Sequence, residues 1–283
     1  CTLLRVFHCH WNRRISSPLC TVHMADYDDG GYYYEDEYAY DDGGGELEET
    51  WETHIENQYA ASKSVIDSAP KEAIQGLLDV IRDDQDHGRW TFKAQKMLAR
   101  TYQRHHMYTE MLEAFRNFFQ IQYPDKTRND TEKAVTKFLD RCAMSVPPEW
   151  LEKLYLTAID VLEKQLSSFE KLWFCVSMKY VDLLLSKRYS ETANGGVARL
   201  DSRDLLSRAL DRVRGLREWC EMGPQADQRK APQRLQVYSA EIQIYSESDD
   251  NGKLRELYTQ AIALMDHAFC PPRMAGTIRE CGG

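Results

Sequence analysis

The sequence lacks long hydrophobic runs and the short motifs that mark common catalytic sites. No stretch approaches the ~18 to 20 consecutive apolar residues of a membrane-spanning helix, so neither such a helix nor membrane contact is expected. The motifs G-x-x-x-x-G-K-S/T, G-x-S-x-G, H-E-x-x-H and C-x-x-C are all absent. The commonest nucleotide-binding, hydrolase, zinc-protease and thiol-redox sites are therefore missing, and the sequence does not support an enzyme.

Histidines and cysteines are too scattered to predict a metal site. Residues 1–23 contain Cys20-x-x-His23 together with His8, Cys9 and His10, but no second well-spaced pair completes a zinc site. His105-His106 follows Arg104 at the predicted end of a helix, where imidazoles interact with the helix dipole more often than they catalyse. We therefore expect no metal.

The net charge of -9 belongs to one short segment. Residues 24–56 contain 13 acidic residues and no Lys or Arg, whereas residues 1–23 contain three Arg and no acid. It follows that residues 57–283 carry a net charge of +1. The overall balance argues against nucleic-acid binding, but the nearly neutral body leaves an acidic partner open.

Two segments precede the predicted folded body. Residues 1–23 are mixed in composition, lack the apolar region of a signal peptide and are expected to be doubtful upstream sequence. Residues 24–55 are predicted to be a disordered acidic tail, because they are rich in Asp, Glu, Tyr and Gly and have almost no aliphatic side chains. This tail either keeps the chain soluble or, through its tyrosines and carboxylates, pairs with a basic partner surface.

Residues 56–283 are predicted to form a helical-repeat solenoid, because their apolar residues recur at helix spacing without sustained two-residue alternation. The clearest stripe consists of Leu254, Leu257, Tyr258, Ala261, Ile262 and Met265. Another follows Pro70 and consists of Ile74, Leu77, Leu78 and Ile81.

The spacing of the helix starts indicates repeats. Predicted starts near Pro70, Thr109 and Pro148 lie 39 residues apart, with a second helix inside each interval. This period matches tetratricopeptide (TPR) or HEAT hairpins of ~34 to 47 residues. We therefore predict an all-α, right-handed superhelical solenoid of TPR/HEAT-like helical hairpins, with a globular all-helical domain as the alternative. The widely spaced body cysteines are expected to be reduced thiols of a nuclear or cytosolic protein.

Five cations fall on one side of the helix predicted around residues 89–104. At ~100 degrees per residue they lie within an arc of about 80 degrees, and we call them the basic strip: Arg89, Lys93, Lys96, Arg100 and Arg104. Like charges four residues apart destabilise a helix by ~0.2 to 0.5 kcal/mol per pair. The strip is therefore either a solvated face near neutralising acids or a docking site for an acidic partner or a polyphosphate. Lys126, Arg128 and Lys133 form a second basic cluster.

Five segments, in order along the chain, resemble a known family: Glu56-Asn57-Gln58-Tyr59; Gly88 to Ala94; Thr127-Arg128-Asn129 with Glu132-Lys133; Val237 to Tyr245 leading to Lys253 to Tyr258; and Gly276 to Gly283. The chain resembles the PCI-domain scaffold subunits of the COP9 signalosome, a complex that removes the ubiquitin-like Nedd modifier from cullin-RING ubiquitin ligases. The acidic N-terminal segment agrees with this resemblance.

The resemblance implies a scaffold without catalytic activity. In the family, the helical arm grips the cullin and its RING partner, while a separate metalloprotease subunit deneddylates the cullin. The other signalosome subunits are the remaining implied partners, and nucleus and cytoplasm are the implied locations. The resemblance implies inositol hexakisphosphate as a ligand that bridges basic residues of the arm to the cullin. It implies no other cofactor.

The candidate binding residues rest on two different arguments. Lys93 matches a family position implicated in the polyphosphate contact, and Arg128 lies in the matching Thr127-Arg128-Asn129 segment. The remaining candidates come from the helical wheel alone: Arg89, Lys96, Arg100 and Arg104.

Two alternatives of related architecture stay open. A proteasome-lid scaffold also combines helical repeats with a PCI domain, although the segments Asn57-Gln58-Tyr59 and 278–283 favour the signalosome. A stand-alone TPR-type adaptor that captures a peptide would need no PCI domain. Residues 187–230, with the break Asn194-Gly195-Gly196, match the family poorly. Because the family's PCI winged-helix domain has no counterpart before Gly283, the chain is expected to be a fragment.

Overall fold

The computed structural model describes residues 50–84, 88–121, 127–193, 199–222, 230–248 and 250–282. These residues form eleven helices and no strand. The helices are α1 Trp51–Ser64, α2 Pro70–Asp83, α3 Arg89–Arg104, α4 Tyr108–Gln120, α5 Arg128–Ser145, α6 Pro148–Glu163, α7 Leu166–Ala193, α8 Arg199–Glu221, α9 Ala231–Glu247, α10 Asn251–Met265 and α11 Pro272–Gly282. The all-α prediction is confirmed. The cysteine- and histidine-containing residues 1–23, most of the acidic tail and the break at 194–196 lie outside the described residues.

The predicted helix starts agree with the structure. Helices α2 and α6 begin at Pro70 and Pro148, and α4 begins at Tyr108, one residue from the predicted start. Proline suits a first helical position because its fixed φ is already helical and its missing N–H would have no partner in the helix.

Polar side chains cap other helices. Thr50 Oγ1 accepts the backbone N–H of Thr53 at 3.3 Å, so α1 begins at Trp51, inside the segment interpreted from sequence as tail. Thr127 and Asp130 form a reciprocal capping box at the start of α5. Asp250 caps α10 by accepting the N–H of Lys253 at 3.3 Å.

The described residues divide into two compact units, one ending at Phe169 and one beginning at Glu170. In the first unit, α1 packs on α2, α2 on α3, α3 on α4 and α5 on α6. In the second, α8 packs on α9, α9 on α10 and α10 on α11. Packing between helices that follow one another in sequence is what a helical repeat requires, and the right-handed superhelix stays a prediction.

Aromatic rings form the core of the first unit. The Phe118 ring lies edge-on to Phe92 of α3 and Phe115 of α4, at centroid distances of 6.0 and 5.2 Å. Phe138 of α5 stacks on Phe115 at 5.6 Å. Rings from three helices thus meet in one cluster, and α3 contributes its apolar face to it.

The predicted apolar stripe of α2 is only partly confirmed, because one of its residues is exposed. Leu77 is fully buried as predicted, but Leu78 is 41% exposed. The buried face of α2 instead follows Ala73, Leu77 and Val80. Leu78 lies ~100 degrees around the helix from Leu77, which takes it away from that face.

The core of the second unit lies between α9, α10 and α11. Its buried residues include Leu235 and Ile242 of α9, Leu257 and Ala261 of α10, and Ile278 of α11. The remaining residues of the predicted α10 stripe pack against this core while partly exposed: Leu254, Tyr258, Ile262 and Met265. The α10 stripe is therefore confirmed.

Close packing of α1 on α2 depends on Gly76. A β-carbon added at Gly76 would lie 3.1 Å from Ser62 Cβ and closer still to Ser62 Oγ. Ser62 is 6% exposed, and its hydroxyl donates to the Gln58 carbonyl at 2.7 Å. The side chain of Ser62 therefore has little room to move.

We expect Gly76→Ala to lower the free energy of unfolding by about 1 kcal/mol, because overpacking costs ~1 to 3 kcal/mol and outweighs the ~1 kcal/mol that alanine gains in a helix interior. Denaturant unfolding of the chain measures this change. Combining Gly76→Ala with Ser62→Ala should recover part of the loss. A Gly76→Ala variant that is more stable than the parent chain would refute the steric explanation.

Across the described ranges, no helix combines the length and the apolar content needed to cross a bilayer. The five cysteines in these ranges are free thiols. Burial raises the pKa of the Cys142 thiol to about 12 and that of the Cys220 thiol to about 11. Both groups are therefore protonated and weakly reactive near neutral pH.

Candidate functional site

The basic strip runs along the full length of α3. Arg89 is the first residue of the helix and Arg104 is the last. Both end residues are exposed, while Lys93, Lys96 and Arg100 between them are half-buried. The predicted helix and the position of all five cations on it are confirmed.

Burial of the rest of α3 determines which way the strip faces. Trp90 and Leu98 are 6% and 1% exposed, and Met97 and Tyr102 are also buried. Polar residues on the same helix, including Thr101 at 1% exposure, are buried as well. Since most of the helix surface contacts the protein, the cations occupy the remaining accessible edge.

Aromatic rings hold two of the lysines in the strip. The Lys93 ammonium lies 4.3 Å from the centroid of the Trp90 ring, which in turn contacts Tyr59 of α1 at 5.5 Å. Lys96 lies 5.8 Å from the Phe92 ring. Such cation–π contacts contribute ~0.5 to 1 kcal/mol at exposed sites and more where water is excluded. The Lys93 head group is therefore positioned by the buried Trp90 ring, which packs on the half-buried Tyr59.

A buried carboxylate fixes the start of α3. Asp84 is 2% exposed, and its Oδ2 accepts three hydrogen bonds: from the Gly88 N–H at 3.1 Å, the Thr91 N–H at 2.8 Å and the Thr91 hydroxyl at 2.6 Å. Negative charge at this end of a helix is favoured by the unpaired N–H groups and by the helix dipole. Asp84 therefore sets where the first turn of the strip begins, a role that the sequence analysis missed.

The C-terminal end of the strip meets two residues from other parts of the first unit. Arg104 pairs with Asp67 at 2.8 Å. Arg141 of α5 lines a shallow depression together with Arg100 and Arg104. No sequence pattern linked Arg141 to the strip, since their proximity results from the packing of α5 near α3.

Arg128, the sixth candidate, lies on a different helix from the strip. It is the first residue of α5, and its Nε donates to Glu132 Oε1 at 2.7 Å. Its guanidinium also lies 5.8 Å from the Phe169 ring. Lys133 of the second basic cluster is exposed on the same helix, whereas Lys126 lies outside the described residues.

Possible metal ligands are dispersed over the described ranges. No three His, Cys, Asp or Glu side chains in these ranges are placed to hold a metal ion. His105 caps the end of α3, and His106 adopts a positive φ of 60 degrees with its Nδ1 2.8 Å from the Tyr108 hydroxyl. The histidines thus form the turn between α3 and α4.

The strip fits a polyanion. Its cations recur about once per turn, ~5.4 Å apart along the helix axis, so one ligand with several phosphate groups can contact two or three of them. Consecutively packed helices define the class of α-helical repeat proteins.

Comparison with known proteins identifies the family. No protein-family profile matches the chain. It is 31% identical over 264 residues to COP9 signalosome complex subunit 2 of Dictyostelium discoideum, covering 90% of this chain and 54% of the relative. It is 32% identical over 267 residues to the Caenorhabditis elegans subunit 2, covering 92% and 48%, and 29% identical over 233 residues to the Drosophila melanogaster subunit 2, covering 81% and 48%.

The chain belongs to the COP9 signalosome complex subunit 2 family. The resemblance seen in the sequence is thereby confirmed over nearly the whole chain. The chain spans about half the length of the curated relatives it matches.

Proposed function

We propose that this chain is a non-catalytic scaffold arm of the COP9 signalosome that binds cullin-RING ubiquitin ligases through the basic strip of α3. A separate metalloprotease subunit then removes the Nedd modifier from the bound cullin. The partners in this proposal are the other signalosome subunits, the cullin and its RING subunit, in the nucleus and the cytoplasm. A PCI domain beyond the present chain would join the arm to the complex.

The observation that carries the proposal is the one-sided placement of five cations on a helix that is otherwise buried. Charge of one sign on an accessible edge speeds encounter with an oppositely charged partner and fixes its orientation. The signalosome name of the relatives favours this scaffold over a proteasome-lid scaffold or a stand-alone peptide adaptor.

We propose inositol hexakisphosphate as the bridging ligand between the strip and a basic patch of the cullin, since its phosphate groups can contact cations on both sides. Lys93 and its neighbour Arg89 both lie near the Trp90 ring, with their charged groups 4.3 and 5.8 Å from its centroid. Two cations close to one rigid ring offer a preformed contact for phosphate groups. Arg128, on α5, is a further candidate for the same ligand.

Lys93→Glu is expected to weaken binding of a purified cullin-RING complex to the 283-residue chain at least tenfold, a loss of ~1.4 kcal/mol. Reversing a half-buried positive charge replaces attraction by repulsion and removes the contact over Trp90. The measurement is a titration by fluorescence anisotropy, with and without inositol hexakisphosphate, at low and physiological salt. Raising the salt should reduce the difference between the two chains.

Lys71→Glu is the matched control, because Lys71 is an exposed lysine of α2 outside the strip. This variant should bind within twofold of the parent chain. Both variants should keep the parent's helical content and melting temperature. Unchanged cullin-RING binding by a folded Lys93→Glu variant would remove the strip from the proposal, whereas equal weakening by both variants would indicate only a net-charge effect.

A further inference from the structure

Three arginines from two helices converge on a small depression at the C-terminal end of α3. Arg100 and Arg104 reach it from successive turns of α3, and Arg141 reaches it from α5. Its remaining lining residues are Ile66, Met97 and Thr101. Within the described part of the chain, the lining therefore carries three positive charges and no negative one.

The chemistry of this lining suits an oxyanion. Guanidinium groups present N–H donors in a planar fork that matches phosphate oxygens, and they remain charged at every physiological pH. The floor is rigid, because Met97 is 4% exposed and the buried Thr101 hydroxyl donates to the Met97 carbonyl at 3.0 Å. The arginines thus surround a fixed apolar base.

A nearby acid already uses one of these guanidinium groups. Asp67 pairs with Arg104 Nη1 at 2.8 Å, but its own side chain is 88% exposed. Exposed ion pairs are weak, contributing roughly 0 to 1 kcal/mol. A doubly charged phosphate that contacts several guanidinium groups at once can therefore replace the single carboxylate.

The size of the depression limits the ligand. Its volume is about 200 Å³, including space open to solvent. Most of that space is open solvent, and the enclosed part is only about the size of one water molecule. A ligand therefore lies over the guanidinium groups at the surface, where the three converging cations can contact one phosphate group.

We infer that the depression of Arg100, Arg104 and Arg141 binds a single phosphate monoester group, separately from the contacts made by Lys93. The monoester belongs either to a phosphorylated side chain of a partner protein or to a small soluble phosphate. Arg100 and Arg104 also belong to the basic strip of the proposed function, whereas Arg141 and Asp67 do not, so variants at Arg141 and Asp67 distinguish the two proposals.

The test uses inorganic phosphate as the probe on the 283-residue chain, with ionic strength held constant by sodium chloride. Phosphate titrations are followed by NMR through the side-chain Nε–H signals of the arginines. We expect saturable shifts of the signals from Arg100, Arg104 and Arg141. Arg141→Gln should weaken phosphate binding about tenfold, Arg141→Lys should weaken it less, and Lys93→Gln should change it by less than twofold.

Asp67→Asn provides a change of opposite sign. Removing the competing carboxylate should strengthen phosphate binding about threefold, because the phosphate no longer competes with the negative charge of Asp67 for Arg104. A short neutral peptide with one phosphoserine, compared with its unphosphorylated twin and with inositol hexakisphosphate, distinguishes the two sources of the monoester. Preferential binding of the phosphopeptide assigns a protein ligand, and preferential binding of the inositol phosphate assigns a soluble one.

Three results would overturn the inference: no saturation with phosphate, equal affinity of a folded Arg141→Gln chain, or equal weakening by Lys93→Gln and Arg141→Gln. The last result would mean that the whole basic face attracts anions without a defined site. These outcomes are independent of the cullin-RING titration, in which Arg141→Gln should leave the response to Lys93→Glu unchanged.

Discussion

Replacing Asp84 with alanine is expected to lower the free energy of unfolding of the first unit by about 2 to 4 kcal/mol. The substitution removes the acceptor of three hydrogen bonds at a site that is only 2% exposed. Two backbone N–H groups and the Thr91 hydroxyl would be left buried without that acceptor, and the favourable charge at the α3 N-terminus would be lost. Denaturant unfolding followed by circular dichroism measures the change.

Two control variants separate hydrogen bonding from charge at Asp84. Asp84→Asn keeps a carbonyl acceptor and should recover about half of the stability lost in Asp84→Ala. Asp83→Asn alters the adjacent, more exposed acid, which pairs with Arg82, and should change stability by less than about 0.5 kcal/mol. If Asp84→Ala were as stable as Asp83→Asn, the proposed role of Asp84 in fixing α3 would be wrong.

The second large effect is expected at Arg217, which connects three helices of the second unit. Arg217 of α8 contacts Glu221 at 2.9 Å, the 2%-exposed Glu241 of α9 at 3.3 Å and Gln260 of α10 at 3.3 Å. Arg217→Ala leaves a buried carboxylate without this cation. Removing one partner of a fully buried pair costs ~3 to 5 kcal/mol, and because Arg217 is itself 30% exposed we expect about 2 to 3 kcal/mol at pH 8.

The loss caused by Arg217→Ala should depend on pH. Burial raises the pKa of Glu241 from 4.5 to about 7, while Arg217 and Arg214 partly oppose this shift and Glu221 adds to it. Because the folded state holds the proton more tightly than the unfolded state, the stabilising effect of protonation is complete below about pH 4.5 and is lost as the pH rises through about 7. At pH 5, Glu241 is protonated in the folded chain, so Arg217→Ala should cost less than at pH 8.

Glu241→Gln tests the same pair from the other side. The amide cannot ionise, so the change in melting temperature between pH 5 and pH 8 should be smaller than in the parent chain. Calorimetry of the parent chain, Glu241→Gln and Arg217→Ala at these two pH values provides the comparison. An equal cost of Arg217→Ala at both pH values would show that Glu241 does not titrate in this range.

Local sequence patterns predicted much of the fold because they depend on neighbours along the chain. The predicted 39-residue spacing of helix starts is matched by spacings of 38 and 40 residues between Pro70, Tyr108 and Pro148, and all five cations of the basic strip lie on α3. Both features follow from helix periodicity and from residues that favour helix starts. Leu78 is the exception, since a stripe predicts amphipathicity but not which apolar residue at its border becomes buried.

Contacts between distant residues could not be predicted in this way. Arg141 meets Arg100 only because α5 packs near α3, and Asp67 reaches Arg104 from the segment between α1 and α2. No pattern in the sequence singled out Asp84, yet it is buried at a helix N-terminus. Such roles depend on tertiary packing, for which one sequence contains no periodic signal.

The Trp90 ring beneath Lys93 affects how binding to the strip can be tuned. A long lysine side chain normally loses ~0.5 to 1.5 kcal/mol of conformational entropy when a partner immobilises it. With its ammonium resting 4.3 Å from a ring that is 6% exposed, Lys93 has lost part of that freedom during folding. A substitution of the neutral Trp90 can thus change the affinity of an acidic partner for the strip. The number of ionic contacts, and hence the salt dependence of binding, would stay the same.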